Sequence, residues 1–136
     1  MARILIIDDE ESLRSLLRRV LTRAGHETQE VGDGKAGLKA VGEGAFDLVI
    51  TDIIMPEMEG IDFILQLHRR APGLPIIAMS GGGRIRPEGY LKTAQLAGAK
   101  KALTKPFTIA ELQSAVAECL GLPPAEGAAP VSGTPS

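Results

Sequence analysis

The chain has 136 residues, a formal net charge of −2, an apolar fraction of 44% and an aromatic fraction of only 3%. That length suits one domain able to fold alone, with a core drawn mostly from Leu, Ile, Val and Ala, as in a parallel sheet covered by helices. Fifteen basic residues against seventeen acidic ones, with no Lys/Arg run long enough to bind a phosphate backbone, argue against direct nucleic-acid binding, and a lone Cys119 excludes an intrachain disulfide framework.

Met1 to Glu10 reaches acidic residues after a short apolar run, which is neither a signal peptide nor a membrane span and predicts a cytoplasmic chain without membrane insertion. Within it, Arg3 to Ile7 carries a continuous apolar, Ile-rich run from Ile4, the pattern of a strand buried on both faces, and it ends in two aspartates. From Glu11, Leu13, Leu16, Leu17, Val20 and Leu21 recur at helical spacing until Gly25 stops the first helix. Thr28 to Val31 reads as a second strand whose polar residues suit a sheet edge. A second helix over Lys35 to Val41 leads to a third strand, Phe46 to Thr51, ending at Asp52. Ile61, Ile64, Leu65 and His68 mark a third helix, followed by a strand over Pro75 to Met79, a helix over Glu88 to Ala97 and a strand over Ala99 to Leu103. Thr108 is placed to cap a fifth helix, with Glu111 three residues on, and Leu112, Val116, Cys119 and Leu120 form its apolar stripe. Cys119 is therefore read as a buried, inert thiol.

This (βα)5 alternation predicts an α/β fold with a doubly wound, parallel five-stranded sheet, and five strands fit the flavodoxin-like order 2-1-3-4-5, which periodicity alone does not fix. The domain spans 1–120. From Gly121 to Ser136 the Pro, Gly and Ser content without apolar periodicity predicts a disordered tail or linker.

In such sheets the binding crevice lies at the carboxyl ends of the strands, near the point where strand order reverses. Asp8 and Asp9 follow the first strand, Asp52 the third, Ser80 the fourth and Lys105 with Pro106 the fifth. Three carboxylates brought together repel one another and must hold a proton or a cation. Magnesium, which takes one or two carboxylates with water and phosphate oxygens, fits such a set. The two histidines, His26 and His68, lie outside the cluster. An aspartate can attack phosphorus to form an acyl phosphate, Lys105 supplying a mobile positive charge and Ser80 a hydroxyl for the phosphoryl oxygens.

The segments I-I-D-D-E, T-D-I-I-M-P-E-M-E-G, M-S-G and T-K-P-F stand in the order and spacing of bacterial response-regulator receiver domains, and the resemblance covers Ala2 to about Leu120. By that resemblance Asp52 is the phosphoacceptor, and Asp9, Asp52 and the backbone carbonyl of Ile54 bind magnesium directly while Asp8 acts through water. Ser80 and Lys105 read the phosphoryl group, and the Lys105–Pro106 peptide is cis. The implied partners are a sensor histidine kinase or phosphotransfer protein and an unknown downstream target. The resemblance implies a signalling domain rather than a turnover enzyme. Many receivers carry Tyr or Phe three residues before this lysine, where the present chain has Ala102. The response is then expected in the segment Gly81 to Leu96, where the alternative is a merely mobile loop.

Other signals are discounted. Gly32, Gly34 and Gly37 match a dinucleotide fingerprint in form, but they follow the second strand and contain a D-G turn signal. Gly81 to Gly83 lack the lysine and hydroxyl residue of a phosphate-binding loop. An aspartyl-phosphate hydrolase of the haloacid dehalogenase type needs an acid two residues after the nucleophile, where this chain has Ile54. A receiver-like interaction domain that is never phosphorylated is disfavoured by the complete set Asp8, Asp9, Asp52, Ser80 and Lys105.

Overall fold

Arg3–Ile7 forms β1, and the full burial of Ile4, Leu5, Ile6 and Ile7 follows from coverage of both sheet faces. The computed structural model describes residues 2–52, 60–81, 95 and 97–121. After β1 come α1 (Glu11–Arg23), β2 (Glu27–Val31), α2 (Gly34–Glu43), β3 (Leu48–Asp52), α3 (Gly60–Arg70), β4 (Ile76–Gly81) and β5 (Lys101–Lys105). The described elements close with α4, Ile109–Leu120. All strand pairs are parallel, in the order β2-β1-β3-β4-β5. The half-polar β2 therefore lies at an edge, as its composition requires.

Two apolar layers hold the helices to the sheet. Alternate strand residues Ile4, Ile6, Leu48, Ile50, Ile77 and Met79 meet α1 and α4. Their neighbours Leu5, Ile7, Val49, Ile76 and Ala78 meet α2 and α3. A strand buried on both faces cannot alternate apolar with polar, which explains the unbroken runs in the sequence. At Gly37 a Cβ would come within 2.6 Å of Ile7 Cδ1 and 3.3 Å of Phe63 Cε1. That glycine lets α2 sit close on β1, while Asp33 caps the same helix by accepting from the Ala36 amide at 2.8 Å. The formal glycine fingerprint is thus a cap and a packing contact.

Several boundaries differ from expectation. β3 begins at Leu48 rather than Phe46, because the Asp47 side chain takes the Arg3 amide and the Arg3 guanidinium lies 4.7 Å from the centre of the Phe46 ring. On α3 the buried stripe is Phe63, Ile64 and Leu67, whereas Leu65 is 38% exposed and His68 is exposed, so the sheet-facing side is rotated from the one expected. β5 runs from Lys101 to Lys105 instead of Ala99 to Leu103, since its pairing with β4 extends through Ser80–Thr104 and Gly81–Lys105. Ala97 and Ala99 are buried ahead of it. Most of the expected helix over Glu88 to Ala97, and the tail beyond Gly121, lie outside the described residues.

Candidate functional site

The strand register assembles the site. Ile7 pairs with Thr51, so the next residues, Asp8 and Asp52, stand side by side at the carboxyl ends of β1 and β3. Sheet order reverses between these strands, where doubly wound sheets open a crevice. β4 separates Asp52 from β5, a distance of roughly 10 Å at the usual strand spacing. Lys105, at the end of β5, spans that gap: its Nζ lies 3.1 Å from Asp8 Oδ2 and 3.3 Å from Asp52 Oδ2.

Asp8 is fully buried, Asp52 is 7% exposed and Asp9 is exposed, and ligand oxygens of all three lie within 4.8 Å of one another. Asp8 Oδ1 accepts from the Glu10 amide at 2.8 Å while Oδ2 accepts from Lys105. Both oxygens of Asp8 are thus engaged, and Lys105 holds Asp8 and Asp52 together. Burial works against the Lys105 ammonium, yet the charges of Asp52 and Asp8 outweigh it and raise its pKa. The three acids offer hard oxygen donors only. That chemistry suits a small divalent cation.

Of the remaining expected residues, Ser80 lies on β4 level with Thr104, one residue short of Lys105 in register, and its side chain is outside the described atoms. Ile54 is outside the described residues. The Lys105–Pro106 peptide is cis. Ala102 is partly buried in the middle of β5. His26 stands apart from the acids, accepting from the Ala2 amide at 3.1 Å, and burial lowers its pKa. Cys119 is buried in the apolar layer under α4, and burial raises its thiol pKa. Sequence reasoning passed over Arg14, whose Nη1 donates to the Asp8 carbonyl at 2.6 Å. Its acceptor is a backbone carbonyl, which residue type does not disclose.

Residues 4–117 match the response regulator receiver domain family. The chain belongs to that family. This receiver domain is 37% identical over 126 residues to the DNA-binding transcriptional regulator NtrC of Azospirillum brasilense, a match covering 91% of the chain and 26% of that relative. It superposes on a response regulator receiver domain protein from Clostridium thermocellum with a TM-score of 0.82 at 28% identity, covering 89% of this chain and 95% of the other. It also matches response regulator TrrA of Thermotoga maritima, solved in complex with Mg2+ and BeF, with a TM-score of 0.78 at 30% identity over 88% of this chain and all of that one. Among the described residues, no helix of the receiver domain is long and apolar enough to cross a membrane.

Proposed function

We propose that this receiver domain accepts a phosphoryl group on Asp52 from a sensor histidine kinase or phosphotransfer protein in the cytoplasm, and signals to a downstream protein by changing shape. The observation that carries the reading is the carboxylate of the buried Asp52, within 4.8 Å of ligand atoms of Asp8 and Asp9 and 3.3 Å from Lys105 Nζ. Asp9, Asp52 and the Ile54 carbonyl would hold magnesium directly, with Asp8 acting through water, and the likeness to a neighbour solved with Mg2+ and BeF supports that choice of metal. Bound there, magnesium supplies charge neutralisation for the incoming phosphoryl oxygens.

An oxygen of Asp52 attacks phosphorus, forming a P–O bond as the bond to the donor's imidazole nitrogen breaks and that nitrogen keeps the electron pair. Lys105 follows the negative charge as it moves from carboxylate to phosphoryl oxygens, and the Ser80 hydroxyl donates to the same oxygens. The output is a changed conformation rather than a released product. We read 1–120 as the unit that does this and 121–136 as a tail or linker. The test is incorporation of phosphate from a small acyl phosphate donor with and without magnesium, alongside magnesium titration of Asp9→Ala. Incorporation should require the metal, and the variant should bind it more weakly by at least about tenfold, the loss that even an outer-shell partner causes. Metal-independent incorporation or unchanged affinity would contradict the reading.

A further inference from the structure

Asp8 is held from both sides of its backbone. Its amide donates to the Val31 carbonyl at the end of β2 at 3.3 Å, and its carbonyl accepts from Arg14 Nη1 on α1 at 2.6 Å. Arg14 is itself oriented, with Nε 3.4 Å from Glu30 Oε1 on β2, and its side chain is only 18% exposed. The second oxygen of Glu30 lies 2.8 Å from Arg18 Nε, whose side chain is 52% exposed. An ion pair as exposed as Arg18 with Glu30 adds little. Arg14 is different, because a mostly buried guanidinium needs fixed acceptors to offset its desolvation, and its planar fork meets two of them here. The Asp8 carbonyl belongs to the planar peptide unit that joins Asp8 to Asp9. A donor clamped on that oxygen therefore fixes how the two neighbouring carboxylates are spread.

We propose that Arg14, oriented by Glu30, is a positioning residue for the cation site: it locks the Asp8–Asp9 peptide plane and so presets two of the acids for the metal. The inference rests on the magnesium reading above. The test titrates the full chain with magnesium alone, in wild type, Arg14→Ala, Arg14→Lys and Glu30→Gln, and follows acyl phosphate incorporation at limiting and saturating metal. Arg14→Ala should weaken magnesium binding about tenfold, as loss of an outer-shell partner does. Arg14→Lys keeps one donor for the carbonyl and should recover part of that affinity; Glu30→Gln should lose less than Arg14→Ala. Saturating magnesium should restore the wild-type incorporation rate in each variant. A purely structural role would lower thermal stability and leave the affinity unchanged, and that result in Arg14→Ala would overturn the inference. If Arg14→Ala does not fold, unchanged affinity in Glu30→Gln overturns it instead. A wild-type chain that binds no magnesium overturns the functional reading and this inference together, whereas a wild type that binds with unaffected variants overturns only the latter.

Discussion

Lys105 shows how one side chain ties the site to stability. Burial of its ammonium opposes charge, and the carboxylates of Asp52 and Asp8 more than compensate, so its pKa in the folded protein stands above the ordinary 10.5. A raised lysine pKa means that the folded state binds the proton more tightly than the unfolded chain. Its stabilising contribution is therefore complete at pH values below 10.5 and is lost as pH rises through the folded value. Lys105→Ala removes that dependence: urea midpoints of wild type and variant should differ by a constant amount at neutral pH and converge in the alkaline range above 10.5. A difference that stays constant through that range would contradict the assigned coupling. The side chains of this site were legible in the sequence, since Asp8, Asp9, Asp52 and Lys105 all fall where apolar runs end. The Arg14 contact was not, because a backbone carbonyl as acceptor leaves no mark on residue type.

α4 is an element whose start is written locally. The Thr108 hydroxyl accepts from the Glu111 amide at 3.0 Å while Glu111 Oε1 accepts from the Thr108 amide at 2.8 Å, a complete capping box. At the other end Gly121 takes a φ of +69°, left-handed backbone that a side chain would strain. Thr108→Ala should lower stability by about 1 kcal/mol, read as a shift of the urea midpoint without a change of slope. No shift would show that neighbouring contacts hold the end of α4 without the cap. Locally encoded features such as this box and the run of β1 matched their sequence pattern. The face of α3 and the extent of β5 did not, because each is decided by a neighbour. Phe63, Ile64 and Leu67 are buried because the sheet lies on that side, and β5 extends to Lys105 because β4 continues to Gly81.

At the scale of the whole molecule, the doubly wound sheet brings together residues far apart in the chain: Lys105 meets Asp8 across 97 positions and Asp52 across 53. The (βα)5 alternation pointed to a parallel, doubly wound sheet and the observed order is the flavodoxin-like one that five strands fit, yet the order yields a site only through register, Ile7 opposite Thr51 and Gly81 opposite Lys105. Helices on both faces bury the sheet, so the charged groups of the site gather at the strand ends beside the order reversal. In the proposed function the phosphoryl group falls on Asp52. The most direct test treats wild type and Asp52→Ala with a small acyl phosphate and magnesium, then maps the modified residue by mass spectrometry. One base-labile phosphoryl group is expected on Asp52 of the wild type and none in the variant. Undiminished, acid-stable labelling of Asp52→Ala would contradict it.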